Sequence, residues 1–559
     1  MKRVLGVLLV MIIMGPAAAA PARGQTPPPR DANAPRKTGS AIIRGRVVAA
    51  DSGQPLRKAQ IRISSPELRE SRLATTGADG KYEFKELPAG RYTLSVSKGS
   101  YVTLSYGQTR PFEAGKPLEL QDGQAIEKVD FALPRGSVVT GRILDEFGEP
   151  ATDVTVTLQR FQYIGGRRRL VSAGRSASTN DIGEFRVFAI PPGQYYLMAG
   201  VRNFTSPFDS SDDRAGYAPT YFPGTPNIAE AQRVTVAVGQ TVTDLNMTLI
   251  PTRLARISGT AVDSQGRAVG GMVTVRARAE DLFGGVMFVT PAQIRPDGTF
   301  AINGVAAGTY TLQVSFGMGA GDGESASAEV AVNGEDVSDV RLVGTKPVTA
   351  SGRLLVDAAQ AQALQPASIR VMLMSPPADG ISSSGGQPGS VRDDLTFEAK
   401  TRPGQMRVSV SPLPAGWGVR AVRYKGADVI DSGIEFRANE DVSDIAIELT
   451  NRMPEISGQV TNARGDAVKD YTVVLFPEDR EKWTDGNARY MRSGRPDQGG
   501  RFKLSTLPPG SYLIVAIDQI EQGEWMDPDF LDRVRSKATA ITVGDGDARS
   551  VDLKLNSAS

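Results

Sequence analysis

The chain has 559 residues, 40% of them hydrophobic and 23% charged, with 60 glycines and 36 prolines. That composition fits several turn-rich globular domains rather than a disordered tract or long helices. Its 64 basic and 62 acidic side chains leave a net charge of +2, and it has no cysteine and no histidine. A sequence-independent pull toward nucleic acid, disulfides, thiolate nucleophiles and imidazole chemistry are therefore all excluded, and each domain must be held by burial alone.

At the start of the chain, Lys2 and Arg3 precede an apolar run over 4–14 and small residues over 17–22. A basic start, a short apolar middle and a small-residue cleavage region read as a signal peptide, placed at 1–25. The run is too short to span a bilayer, and no later segment approaches the ~20 apolar residues a span needs. Without a cysteine near the cleavage region no lipid anchor is expected. The expected location is secreted or periplasmic, soluble after removal of the signal peptide. A Pro-rich flexible leader follows at 26–40.

From there one unit repeats. Its opening strand carries a glycine: IIRGRVV, VVTGRIL, ISGTAV, TASGRLL and ISGQV, with Gly45, Gly141, Gly259, Gly352 and Gly458. Four copies continue with a polar turn, and a second alternating strand comes next in all five. The middle of the unit is the sharpest part. ADGKYEFKELPAGRYTLSV recurs as DIGEFRVFAIPPGQYYLMA, PDGTFAINGVAAGTYTLQV and QGGRFKLSTLPPGSYLIVA. Two residues after the first glycine comes Tyr82, Phe185, Phe300 or Phe502, and two after the second comes Tyr92, Tyr195, Tyr310 or Tyr512. Period-two alternation between turns predicts hairpin strands with one buried face. Each unit closes on a strand, a polar turn and a second strand, again expected as a hairpin.

About seven short strands over roughly a hundred residues is β-sandwich arithmetic. The expected fold is all-β, a tandem array of five seven-stranded sandwich modules. The first is placed at 41–135, the second at 136–252 with a long aromatic loop, and the third at 253–346. A degenerate fourth is placed at 347–451, where Met406 stands in place of the tyrosine, and a fifth with a short helix at 452–559. The linkers LPRGSVV and LIPTRLARIS are short, which favours a semi-extended array.

The glycine-bearing opening strand, the D-G-x-F/Y turn and the P-x-G-x-Y-x-L strand resemble the carboxypeptidase regulatory-like domain, a transthyretin-like sandwich among the carbohydrate-binding-like folds. The resemblance covers nearly all of the chain after the leader. It implies a stabilising or ligand-presenting module beside some other activity. A zinc peptidase reading fails because such enzymes ligate the metal through histidine. In other exported proteins the module precedes an outer-membrane barrel, and none is expected after VDLKLNSAS.

Candidate sites weigh against structural roles. Asp79, Asp181, Asp297 and Asp497 read as turn residues rather than calcium ligands, because no loop gathers the six or more oxygens calcium prefers. No metal or cofactor is expected. Tyr92, Tyr195, Tyr310 and Tyr512 read as core tyrosines with the hydroxyl satisfied at a strand end. The loop of the second module sets Phe204, Phe208, Tyr217, Tyr221 and Phe222 beside Asp209, Asp212 and Asp213. It either binds sugar or folds back over its own sheet. In the fifth module Trp483, Tyr490 and Trp525 form a contact surface or a cap. Asp527 and Pro528 open a short helix whose Phe530, Leu531 and Val534 share one face and cover a sheet edge. Tyr217, Tyr221, Phe222, Trp483, Tyr490 and Trp525 are the candidate ligand-binding residues.

Arg167, Arg168 and Arg169 after Gly165 and Gly166 read first as a solvated hairpin tip; contact with an acidic polysaccharide, a teichoic or lipid-borne phosphate or nucleic acid is the other reading, and the sequence holds no second basic cluster to complete such a site. No catalytic residues are assigned. The expected function is an exported, non-catalytic binding or scaffold protein whose partner is a carbohydrate or another exported protein. An envelope spacer without a small-molecule ligand is the alternative. A carboxylate-based glycoside hydrolase is a remote third reading.

Overall fold

The computed structural model describes residues 39–68, 70–201, 215–277, 292–316, 323–376, 385–414, 416–483 and 489–557. The expected signal peptide and nearly all of the expected leader, and Phe204, Phe208, Asp209, Asp212 and Asp213 of the aromatic loop, lie outside these residues. The described chain is all-β apart from short helices. Among the described residues no helix is long and apolar enough to cross a membrane.

The first segment shows the construction. Its strands are β1 (Ala41–Ala49), β2 (Gln60–Ser64), β3 (Arg72–Thr75), β4 (Lys81–Leu87), β5 (Gly90–Ser97), β6 (Leu104–Ser105), β7 (Leu118–Leu120), β8 (Ala125–Ile126) and β9 (Phe131–Leu133). One sheet centres on β1, antiparallel to β4 and parallel to β8 and β9. The other runs β3-β2-β5-β6, with β7 also on β5. Alternation sends Ile43, Val47 and Phe84 from one sheet, and Ile61, Ile63, Tyr92, Leu94 and Val96 from the other, into a single buried cluster.

This topology corrects the hairpin expectation. The strands β4 and β5, joined by the P-x-G turn, pair with β1 and β2 respectively, not with each other. The closing strands β7 and β8 likewise belong to opposite sheets. Both turns arch across the core from one layer to the other. Period two reports which face of a strand is buried and says nothing about its partner, so sequence pattern alone could not separate an arch from a hairpin. Only β2–β3 and β5–β6 are true hairpins here.

The opening glycine now has a reason. A Cβ on Gly45 would lie 1.9 Å from the carbonyl oxygen of Val129, and on Gly141, Gly259, Gly352 and Gly458 it would lie 1.8–2.2 Å from the carbonyls of Leu245, Val340, Ile445 and Val551. The chain leading into the parallel closing strand or, at Val340 and Ile445, the register shift within that strand comes too close for any side chain.

The same pairing recurs around Ser137–Leu144, Ala255–Val262, Val348–Leu355 and Glu455–Thr461. Each is antiparallel to one strand and parallel to the last strand or strands of its segment. Apolar clusters follow one another along the chain, within 41–133, 139–249 (joined by Phe112), 255–342, 348–449 and 456–553. The fourth segment is irregular. Its strand Gly386–Val391 pairs on both sides, with Arg370–Met374 and with Thr396–Thr401, across a register shift between Gln387 and Ser390, so its two sheets join.

The segments do not simply follow one another in space. Arg495, buried in the fifth segment, pairs with Glu113 of the first at 2.8 Å and with Asp470, and donates to the Ala114 carbonyl at 2.9 Å. The Glu119 amide donates to Gln498 Oε1 at 3.0 Å, and Gln498 Nε2 donates back to the Glu119 carbonyl at 2.8 Å. The expected semi-extended order is therefore corrected: the loop over 106–117 fastens the last segment to the first. Linker length restricts hinge angle, but it does not prevent the chain from returning on itself.

Candidate functional site

The second segment contributes β10 (Ser137–Leu144), β11 (Val154–Ile164), β12 (Arg167–Ser178), β13 (Glu184–Ile190), β14 (Gly193–Val201), β15 (Ala215–Ala218), β16 (Thr220–Tyr221) and β17 (Arg233–Val236). The inner face of its second sheet feeds the core. The outer face carries a satellite cluster of Tyr196, Met198 and Tyr221 with Phe161, Leu170 and Ile228 packed against it. Tyr221 is fully buried there, so its ring has no face free for a sugar. Phe222 is half-buried against the segment's main core. Tyr217, also half-buried, donates its hydroxyl to the Glu146 carboxylate, and burial together with that carboxylate pushes the hydroxyl up to about 12. The described part of the loop folds back over its sheet, the structural alternative weighed for it.

In the fifth segment the strands Thr472–Pro477 and Gly510–Ile517 bury side chains on both faces. Val474, Phe476, Leu513, Val515 and Ile517 form an outer cluster with Trp483, Phe530, Leu531 and Val534, and Trp525 packs against it. The helix Pro528–Arg535 starts as expected, with Asp527 accepting from the Asp529 amide and Pro528 in its first turn. It covers a sheet face rather than the sheet edge expected for it. The sequence holds the reason, since VVLF and LIVAI are unbroken apolar runs and mark strands buried on two sides. Trp483 is 2% exposed and its Nε1 donates to the Pro477 carbonyl at 2.8 Å. Tyr490 is half-buried and donates to Asp431 at 2.6 Å across to the fourth segment; burial and that carboxylate push its hydroxyl up to about 12. The six candidate residues thus fall into two separate places. Tyr221 and Trp483 are core struts, which corrects the exposed stacking role considered for them.

The aspartates act as turn residues. Asp79 accepts from the Lys81 amide at 3.1 Å, Asp297 from Thr299 at 2.9 Å, and Asp497 from Gly499 and Arg501 at 2.8 and 3.0 Å. In the second segment Asn180, not Asp181, takes this position, accepting from Ile182 and Glu184. These bonds hold the Asp79 and Asp297 carboxyls below their ordinary range, with the Lys81 amide and the Thr299 hydroxyl as the first causes. The repeated tyrosines are core residues, and each donates to a carbonyl four residues earlier: Tyr92 to Pro88, Tyr195 to Pro191, Tyr310 to Ala306 and Tyr512 to Pro508. That bond ties each arch to the strand it begins.

Where the first, second and fifth segments meet, the fold creates a site that no contiguous motif announces. The loop over 106–117 inserts Phe112 beside Tyr195, ring centroids 6.4 Å apart, and the Arg160 guanidinium lies 3.5 Å from the Phe112 centroid. The Gly-Gly hairpin tip is docked rather than solvated, because a Cβ on Gly166 would meet the Met526 carbonyl oxygen at 2.3 Å. Beside it opens a cleft of about 450 Å³ lined by Arg110, Arg160, Arg168 and Arg233, with Glu521 as the acid among its lining residues. The sequence reading missed it because Arg110, Arg160 and Arg233 are isolated along the chain. The paired glycines before Arg167 were the available signal, since two adjacent glycines permit a close backbone approach.

Comparison with known proteins adds the following. Residues 42–134 match the family model of the carboxypeptidase regulatory-like domain. No curated protein matches the chain. Among solved structures, the chain is similar to GBS52, the minor pilin of Streptococcus agalactiae, at 12% identity over 38% of this chain and 98% of that one, with a TM-score of 0.22. A streptococcal ancillary pilin aligns at 16% identity over 55% and 99%, TM-score 0.19. A putative carbohydrate-binding protein from Bacteroides uniformis aligns at 11% identity over 36% and 97%, TM-score 0.14. Scores this low set no function. The family likeness established is that of the first segment, residues 42–134, which carries the carboxypeptidase regulatory-like domain.

Proposed function

We propose that the chain is an exported, non-catalytic binding scaffold: five sandwich modules, bounded near 135, 252, 346 and 451, that hold the surfaces at their junctions in fixed relation to a ligand. The observation that carries this reading is the bracket on Arg495. Its side chain is 2% exposed and sits between Glu113, from a module far away in sequence, and Asp470. A buried cation paired across modules favours one arrangement, because parting them takes Glu113 from Arg495 and leaves it Asp470 alone. The carboxypeptidase regulatory-like domain at 42–134 supports an accessory rather than a catalytic role. The ligand class we favour is carbohydrate, the alternative being a protein partner for which the chain acts as spacer.

The test is to incubate the full chain with envelope polysaccharides, measure retention, and follow ligand chain length by mass spectrometry. Retention with unchanged length is expected. Shortening of the ligand would contradict the reading in favour of a hydrolase, and absence of retention would favour the spacer.

A further inference from the structure

The basic residues at the hairpin tip need a second cluster to make an anion site, and the fold supplies one. Across β12, β11, β14 and β17 the outer face of the second segment presents Arg168, Phe161, Tyr196 and Arg233 in a row. Tyr163 is opposite Arg168, Phe161 opposite Leu170, Gln159 opposite Tyr196, and Tyr196 opposite Arg233. The row is in contact throughout. Arg168 lies 4.8 Å from the Phe161 centroid, Phe161 and Tyr196 meet edge to face at 5.8 Å, and Arg233 lies 5.8 Å from the Tyr196 centroid and donates to its hydroxyl at 3.0 Å. Arg160, half-buried on Phe112, and Arg110 border the same cleft. Among the described residues none of these four arginines forms an ion pair with a carboxylate, which sets them apart from Arg44, Arg135, Arg267, Arg423 and Arg495. Three of them are exposed.

Stacking on Phe161 orients the Arg168 guanidinium with its N–H edge toward a planar bidentate acceptor, whereas Arg233 spends Nε on the Tyr196 hydroxyl and one Nη on Gln194 Oε1 at 3.3 Å and offers its outer Nη. The charges are spread, not convergent: Arg168 and Arg233 stand three strand spacings apart, roughly 14 Å at about 4.8 Å per strand. A single phosphate needs cations gathered on one point, whereas a linear polyanion offers charges at intervals. Between the two ends lies the half-buried ring of Phe161, beside the buried Tyr196, and Phe161 is the ring suited to the C–H face of a pyranose. We propose that this cleft binds a linear saccharide chain bearing carboxylates, a polyuronate segment, with Arg168 and Arg233 holding carboxylates at its two ends and Arg110 and Arg160 lining its side. The proposal rests on the binding-scaffold reading and names its ligand.

The test uses calorimetric titration of the full chain with oligogalacturonate at low and moderate salt. Binding that weakens as salt rises is expected. So is an affinity at least tenfold lower for the Arg168→Gln/Arg233→Gln double variant, while Arg341→Gln, an exposed change in the third segment, leaves it unaltered. Matching thermal midpoints establish that the variants fold. Methyl-esterified oligogalacturonate, which keeps the backbone and removes the charges, should bind at least tenfold more weakly. Equal binding of the ester, no binding of the acid, or unchanged affinity in the double variant would overturn the proposal while leaving the scaffold reading standing. Tighter binding of pyrophosphate or poly-aspartate would overturn the choice of a saccharide. Shortening of the oligogalacturonate would instead contradict the scaffold reading beneath it.

Discussion

The first and fourth segments share one crossing and differ in how they hold the arch beside it. In both, the opening glycine lies under a carbonyl at the closing strand, that of Val129 just before it for Gly45 and that of Ile445 within it for Gly352, each 1.9 Å from where a Cβ would sit. In the first, Tyr92 ties its arch to the Pro88 carbonyl at 2.6 Å. In the fourth, the buried Met406 fills the same core position with no hydroxyl to give, and the two sheets join through Gly386–Val391; the fifth segment's sheets also join, through Leu553–Asn556, yet it keeps the Tyr512 tie. The crossing is thus common to both segments, and the tyrosine tie is not.

The largest effect should come from the crossing. Gly45→Ala drives a methyl group into backbone, which cannot rotate away, and should cost about 3 kcal/mol or more of the first segment's stability. Hydrogen exchange read peptide by peptide would show it, and Gly352→Ala should do the same to the fourth segment. A mild effect at either site would break the comparison. Next comes the bracket between modules. Glu113→Leu leaves Arg495 with Asp470 alone, and on the order of 2 kcal/mol should be lost, less than for a pair with no remaining partner. Faster exchange over 106–117 and around Arg495 would report it.

The tie should matter less than either. Tyr92→Phe leaves the Pro88 carbonyl without its buried donor, a loss of about 1–2 kcal/mol measured by denaturant unfolding. Its pH dependence sharpens the contrast further. Burial pushes the Tyr92 hydroxyl up to about 12, whereas in the unfolded chain it ionises near pH 10. Above about pH 10 the unfolded state therefore binds fewer protons than the folded one, so stability falls as pH rises toward 12. Exchange from residues 90–97 should accelerate over that window more than exchange from 404–411, where Met406 does not titrate. Equal acceleration would remove the tyrosine from the explanation.

Much of the fold was legible. The all-β class, the opening strands, the turn aspartates, the buried tyrosines and the start of the helix at Asp527 follow from local pattern. Strand partners were not legible, because alternation at Tyr82 or Leu94 fixes a face without naming a neighbour. Two-sided burial was visible in the unbroken VVLF and LIVAI runs, yet it assigns Trp483 to a core only once the helix is seen to lie on that face. The cleft was the least legible part. Arg110, Arg160, Arg168 and Arg233 come from three strands and a loop, and only the return of the fifth segment onto Gly166 encloses them. Nothing local in a sequence encodes such a return.

That return is the claim on which the scaffold and the cleft both depend, and the absence of native cysteine makes it directly measurable. Glu119→Cys and Gln498→Cys, at positions that exchange hydrogen bonds of 3.0 and 2.8 Å, introduce two thiols into a chain that otherwise has none. Treatment of the dilute protein with a short bis-maleimide should join them within one chain in high yield, seen as a single intramolecular cross-link between the two peptides. Two separately capped thiols, or links only between different molecules, would show that the last segment does not rest on the first.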